Sequence, residues 1–186
     1  FGELKSVVLN DLKPLLQLPG VRFVDLQYGD TDAEREAIRK STGVEIEHLP
    51  DVDAFNDMDG LAALIRACDL VVTTSNTTAH LAGAVGAPTL LMLPFASGRH
   101  WYWHEEREDS PWYPSMRLVR QRKSGEWGDV IARTKAAGVV VGRGRQRHLA
   151  RIERADHRVI ARTATGRQHH RAGFEQHLHQ PFARQA

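Results

Sequence analysis

The stretch "SNTTAH" combines the small polar residues Ser75, Asn76, Thr77 and Thr78 with the imidazole of His80. It follows the apolar run "DLVVTT" and precedes the small-residue run "LAGAVG", so we expect it where a strand ends and a helix begins. Either Asn76 or Ser75 is suited to cap that helix. The other hydroxyls and the imidazole would then lie beside the positive end of the helix, a combination that suits a phosphate.

A purely structural role explains the same residues. Clusters of Ser, Asn and Thr before a helix commonly serve only as caps and turns, and a lone histidine in a helix is often packed in the interior. The surrounding elements are therefore needed to distinguish a ligand site from turn chemistry.

Apolar runs alternate with helical patterns over residues 1–137, beginning with a helix interrupted by Pro14 in "LKSVVLNDLKPLLQLPG". Two of the predicted strands are almost entirely apolar, which favours a parallel sheet with helices on both faces. The carboxyl ends of such strands form the usual ligand crevice, so the loop Phe95–Ser115 should also lie there. The predicted strands are "VRFVDLQYG", "VEIEHLP", "DLVVTT", "PTLLMLP" and "MRLVRQ", and the clearest helices are "DAEREAIRKST", "LAALIRAC", "TTAHLAGAVG" and "EWGDVIARTKAA".

The charge changes sharply along the chain. Residues 1–137 contain 15 Lys and Arg against 20 Asp and Glu, whereas residues 138–186 contain 10 Arg, no Lys, three acids and six of the ten His. The second segment has no apolar stripe, so we predict a disordered basic extension, or a translation of the wrong reading frame. A nucleic-acid-binding arm is the alternative, but the segment has only Phe174 and Phe182 to stack on bases, which argues against it.

Composition excludes other classes of protein. No apolar run approaches the roughly 20 residues of a membrane span. Cys68 is the only cysteine, which rules out an internal disulfide and agrees with a reducing cytoplasm. His100 and His104 have the spacing of zinc ligands if they lie on a helix, but there is no Cys or third His nearby, and we predict no metal site.

Residues 21–137 resemble the carboxyl-terminal, donor-binding domain of glycosyltransferase family 9 and heptosyltransferase-like enzymes, especially those appended to tetratricopeptide-repeat proteins. The resemblance rests on "FVDLQYGD", "DMDGLAALIRACDLVVTTSNTTAHLAGAVGAPTLLMLP" and "DSPWYPSMRLVRQ". It implies a Rossmann-like domain, the second half of a GT-B architecture. The family's Asp-Thr-Gly/Ala-x-x-His signature keeps its histidine at His80 and has Ser75 at the Asp position. The Thr77-Thr78 pair is also similar to the diphosphate site of O-GlcNAc transferases, which favours a UDP-sugar.

The resemblance implies metal-independent transfer of a sugar from a UDP- or ADP-linked donor, without a cofactor. Thr77, Thr78 and His80 would stabilise the leaving diphosphate, His80 being the candidate catalytic residue. Ser75, Asn76, Gln27 and Asp57 would complete the donor site. Asp57 and Asp59 could equally cap the helix that follows them, and for Asp59 we favour the cap.

The resemblance also implies missing parts. The general base belongs to an acceptor-binding amino-terminal domain that this chain lacks, and the first strand of the donor domain is expected to be absent as well, so the fragment could be inactive alone. A non-catalytic nucleotide-binding or protein-interaction module and a nucleotide-sugar epimerase are the alternative functions. Calorimetry with nucleotides would distinguish the non-catalytic module from a donor-binding domain. Incubation with the donor alone, without an acceptor, would reveal the epimerase.

Overall fold

The computed structural model describes residues 5–95, 100–149 and 158–162, and it describes the side chains of residues 5–95 and 100–138. Its elements confirm a mixed α/β chain with a parallel sheet. The strands are β1 (Val21–Asp25), β2 (Ile46–Glu47), β3 (Leu70–Thr74), β4 (Thr89–Leu93), β5 (Met116–Arg120) and β6 (Arg158–Arg162). The helices are α1 (Lys13–Leu16), α2 (Asp32–Thr42), α3 (Met58–Ala67), α4 (Thr77–Ala84) and α5 (Trp127–Leu149), with 3-10 turns at Leu9–Leu12 and Trp101–Trp103.

The first predicted helix is wrong in its extent. Instead of one helix interrupted by Pro14, the chain forms the 3-10 turn Leu9–Leu12 followed by the four-residue helix α1. Pro14 lies in the first turn of α1, where its missing N–H costs nothing. The apolar spacing still serves burial, because Leu12, Leu15 and Leu16 are each at most 1% exposed.

The six strands form one sheet in the order β2-β1-β6-β3-β4-β5, and all neighbouring pairs are parallel. Every residue of β3 and β4 is buried, as expected for central strands covered on both faces. One face packs against α1, α2 and α5 through Ile38, Val130 and Ile131, among others. The opposite face packs against α3 and α4 through Leu61, Ile65 and Ala82.

The connections follow a single handedness. From β1 to β2 and from β5 to β6 the chain moves toward the β2 edge, with α2 and α5 on the same face. From β3 to β4 it moves the other way, with α4 on the opposite face. Crossover connections of the same handedness between parallel strands produce this arrangement. The direction in which the chain moves along the sheet therefore reverses between β1 and β3.

The structure differs from the predicted disorder of residues 138–186 in two places. Residues 138–149 continue α5, and residues 158–162 form β6 between β1 and β3. The strand "RVIAR" pairs over five residues with β1 and over three with β3. Because β6 pairs with a strand on each side, it satisfies backbone N–H and C=O groups of both β1 and β3. The apolar pattern of the local sequence does not reveal this stabilisation. The remainder of the predicted extension lies outside the described residues, and none of the described helices could cross a membrane, being too short or too polar.

We predict that ending the chain at Leu149 destabilises the domain, because removing β6 separates β1 from β3 in the middle of the sheet. The loss should be on the order of 5 kcal/mol, since each backbone hydrogen bond contributes roughly 1 kcal/mol net. Urea unfolding followed by circular dichroism measures it. A chain that ends at Thr163 and keeps β6 is the control, and equal stability of the two shortened chains would contradict the central position of β6.

Candidate functional site

The segment between β3 and α4 is rigidly shaped by its own polar groups. Asn76 is the N-cap of α4, and its side chain accepts a hydrogen bond from the N–H of Ala79 at 3.1 Å. This confirms that Asn76 or Ser75 caps the helix and selects Asn76. Ser75 is almost fully buried, and its Oγ accepts a hydrogen bond from the indole Nε1 of Trp103 at 2.9 Å. Thr78 is also buried, whereas Thr77 is exposed at the first position of the helix.

Lys5 contacts the residue before the cap of α4, His80 lies in the first turn of that helix, and His100 is linked to His80 through the ring of Tyr102. Lys5 donates a hydrogen bond from Nζ to the carbonyl oxygen of Ser75 at 2.8 Å. The rings of His80 and His100 both contact Tyr102: His80 meets it edge-on with centroids 5.3 Å apart, and His100 stacks on it with centroids 5.0 Å apart. Burial, His100 and Lys5 together lower the pKa of His80, and burial and Lys5 lower the pKa of His100. The lowered pKa values favour the neutral form of both imidazoles at pH 7, and the formal positive charge at this place is that of Lys5.

The aromatic loop lies at this same edge, as predicted for its described part, residues 100–115. Trp103 is 2% exposed and stacks on His80, with ring centroids 5.1 Å apart and 22° between the planes. Arg120, the last residue of β5, donates hydrogen bonds to the carbonyl oxygens of Trp103, His104 and Arg107. A cation at the carbonyl end of the 3-10 turn Trp101–Trp103 fixes the loop to the sheet. Trp101 remains 79% exposed.

Gln27 and Asp57 belong to a second group, after β1 and before α3. Gln27 is buried, and its N–H donates to Asp25 Oδ1 at 3.0 Å. Asp57 caps α3 by accepting from the N–H of Gly60 at 2.8 Å, so the preference for Asp59 as the cap is wrong. The helix begins at Met58, two residues earlier than a cap at Asp59 would require, and Asp59 falls within its first turn. The ligand roles of Gln27 and Asp57 stay predictions.

Both groups flank the place where the sheet reverses direction. Gln27 follows β1 and Asn76 follows β3, and these strands lie on either side of β6. In open parallel sheets, ligands bind in the crevice outside the carboxyl ends of the strands at such a switch point. The geometry therefore places buried polar side chains after β1, and a capped helix start with a lysine after β3, on either side of β6.

Several residues of the site were missed by the sequence reasoning. Lys5 lies seventy residues from Ser75, and nothing in its local sequence indicates that contact. Asp25 is a buried carboxylate at the end of β1 that accepts a hydrogen bond from Thr31 Oγ1 at 2.6 Å. The position of Asp25 at the end of an apolar strand is a sequence feature that could have identified it as a candidate site residue. Tyr113 Oη lies 3.0 Å from His80 Nδ1, a contact between distant segments that no spacing rule predicts.

Other reactive side chains do not form a site. His100 and His104 flank a three-residue 3-10 turn and not an α-helix, and residues 5–95, 100–149 and 158–162 contain no cluster of three or more potential metal ligands. Cys68 is buried, its thiol donates to the Leu64 carbonyl, and burial, with Asp69, raises its pKa to about 12. It is therefore unsuited to act as a nucleophile.

Comparison with known proteins gives one informative similarity. The chain is 39% identical over 129 residues to Protein FlbA of Caulobacter vibrioides, an alignment that covers 67% of this chain and 20% of FlbA. The chain therefore spans about a fifth of the length of that relative. No family model matches the sequence, and no solved structure matches it.

The histidines at the site predict a pH dependence of stability. Because the folded state lowers the pKa of His80 and His100, it binds fewer protons than the unfolded chain, and acid favours unfolding. The free energy of unfolding should fall as the pH drops below about 6.5, the ordinary pKa of histidine. Urea titrations at a series of pH values measure the slope. His80→Gln should reduce the slope of stability against pH, whereas the control His48→Gln, at an exposed position, should leave it unchanged. Equal slopes in the wild-type protein and both variants would contradict the role of His80 in the pH dependence.

Gly83 predicts a specific steric requirement. A Cβ atom at Gly83 would lie 2.3 Å from Cγ of Tyr113, whereas one at Gly128 meets nothing within 4 Å. We expect Gly83→Ala to cost about 1 to 3 kcal/mol through overpacking. Gly128→Ala should be neutral or stabilise by up to about 1 kcal/mol through helix propensity. Denaturant unfolding compares the two, and a Gly83→Ala protein as stable as Gly128→Ala would mean that Tyr113 does not pack on α4.

Proposed function

We propose that this chain is the donor-binding part of a metal-independent glycosyltransferase that uses a UDP- or ADP-linked sugar. The observation that carries the proposal is the contact of Lys5 with Ser75 at the capped start of α4, the helix that carries His80, beside the switch point of the sheet. His100 reaches this place through the ring of Tyr102. A nucleotide sugar carries a diphosphate, and a lysine with a helix N-terminus is a suitable environment for it. The proposed location is the cytoplasm.

The strand order supports a Rossmann-like domain of the GT-B type. The order β2-β1-β6-β3-β4-β5 matches the doubly wound order 3-2-1-4-5-6 if β6 takes the place of the first, central strand. In the family that the chain resembles, that place belongs to the first strand of the donor domain. In such sheets the phosphates of a nucleotide lie at a helix N-terminus next to the switch point, which is where α4 begins.

The proposed chemistry follows from this arrangement. The bond between the anomeric carbon and the diphosphate oxygen breaks, the acceptor oxygen forms the new bond, and a base takes the acceptor proton. Lys5, Thr77 and the N–H groups at the start of α4 would stabilise the negative charge that develops on the leaving diphosphate. The base would come from the acceptor-binding domain that the resemblance implies. The hydroxyl of Thr78 is buried, so we assign the first contacts to Thr77 and His80.

Exposed aromatic rings offer a place for the nucleoside. Tyr28 and Phe55 are 39% and 67% exposed, and their ring centroids lie 5.6 Å apart. Tyr28 follows β1 and Phe55 precedes α3, so both rings lie close to Gln27 and Asp57 along the chain. Aromatic faces of this kind can stack on a base while the neighbouring polar groups bind a ribose.

We predict that Lys5→Met and Thr77→Val each weaken binding of UDP and UDP-GlcNAc by about 1 to 3 kcal/mol, as expected for hydrogen bonds to a charged group. Isothermal titration calorimetry of the full chain with UDP, UDP-GlcNAc and ADP measures the affinities. Lys40→Met, on the exposed surface of α2, is the control for loss of one positive charge. If none of these nucleotides binds the wild-type protein, or if Lys5→Met and Lys40→Met bind them equally, the proposed donor site is wrong.

A further inference from the structure

His80 is held by aromatic residues on more than one side. Its ring stacks on Trp103, and the rings of Tyr102 and Tyr113 meet it edge-on, at 5.3 Å and 5.9 Å. The hydroxyl of Tyr113 lies 3.0 Å from Nδ1 of the imidazole. These contacts fix the plane of the ring and commit one of its two nitrogens to a partner inside the protein.

The position of Tyr113 depends on the helix that carries His80. Gly83 lies three residues after His80, close to one turn along α4, and the absence of a side chain there lets the Tyr113 ring approach the helix. Tyr113 is also fixed from its own segment, because its N–H donates to Ser110 Oγ at 3.3 Å and its carbonyl accepts from Met116 N at 2.9 Å. The hydroxyl is therefore held in place by neighbours other than His80.

The chemistry of the two groups decides the direction of the hydrogen bond. A phenol O–H is a stronger acid than the N–H of a neutral imidazole, and the imidazole lone pair is a stronger base than the phenol oxygen. The favourable arrangement has Tyr113 donating and Nδ1 accepting. A neutral imidazole whose Nδ1 accepts carries its proton on Nε2.

We propose that Tyr113 is a positioning residue that holds His80 in the tautomer protonated on Nε2, so that the neutral ring offers a donor and not a lone pair to an anion. An imidazole with the opposite tautomer would turn a lone pair toward phosphate oxygens and repel them. The role of His80 toward an anion rests on the proposed function, whereas its tautomer does not.

The tautomer is measured directly by NMR on the full chain labelled with 15N-histidine, at a pH well above the range in which histidine titrates. The 15N shifts and long-range couplings of the ring distinguish a protonated from an unprotonated nitrogen, and His80→Gln assigns the signals. We expect protonated Nε2 in the wild-type protein and a mixture of tautomers in Tyr113→Phe. Tyr102→Phe is the matched control, because Tyr102 also touches the His80 ring, and it should leave the tautomer unchanged.

A wild-type spectrum with the proton on Nδ1 would overturn the proposal, and so would a Tyr113→Phe spectrum identical to it. The wild-type measurement decides the tautomer even if Tyr113→Phe does not fold. Calorimetry with UDP then tests the consequence, for which we expect affinity to fall about tenfold in Tyr113→Phe and to stay unchanged in Tyr102→Phe. If the tautomer is as proposed and UDP does not bind the wild-type protein, the donor site fails and the positioning role stands. If UDP binds and the tautomer is opposite, the positioning role alone fails.

Discussion

The parallel alignment of two strands that are buried on both faces is the constraint on which the remaining structure depends. Every residue of β3 and β4 is buried, so helices must cover both sides of the sheet. Parallel strands also end at one edge, where backbone groups lose their ladder partners and polar side chains are needed. Asn76, Ser75 and Gln121 lie at that edge, where Gln121 Oε1 accepts a hydrogen bond from Phe95 N at 3.1 Å. The same requirement that builds the core therefore collects polar groups in one place.

The orientation of His80 depends on elements from three parts of the chain. The small residues Ala79, Ala82 and Gly83 are buried, which brings α4 close to the sheet. That close approach places His80 against Trp103, whose indole N–H reaches Ser75 on the neighbouring strand end. Arg120 then holds the Trp103 loop from β5 through main-chain carbonyls. The packing of small residues, the aromatic stack and the half-buried guanidinium of Arg120 each restrict the imidazole, so the orientation of His80 depends on contacts from distant parts of the chain.

How much of this could be predicted from sequence varies with the range of the interactions. The helix α2 ends at Gly43 with φ of 73°, and its acidic start and glycine stop are local signals that gave its boundaries, Asp32–Thr42, directly. The strands β3 and β4 followed from their apolar runs. By contrast, "RVIAR" becomes β6 through pairing with β1 and β3, and Lys5 reaches Ser75 through the course of the whole domain. Both depend on partners far away in sequence, which periodicity and composition do not encode.

The hydrogen bonds inside the site also bear on how it would receive a ligand. Lys5 has three N–H donors and uses one on the Ser75 carbonyl, and His80 uses Nδ1 on Tyr113. The side chain of Asn76 accepts a hydrogen bond from the N–H of Ala79, two residues beyond Thr77. Lys5 and His80 are thus each held by an internal hydrogen bond that does not exhaust their donors. A site fixed in this way loses little conformational entropy when an anion binds, so more of the interaction energy is available for affinity.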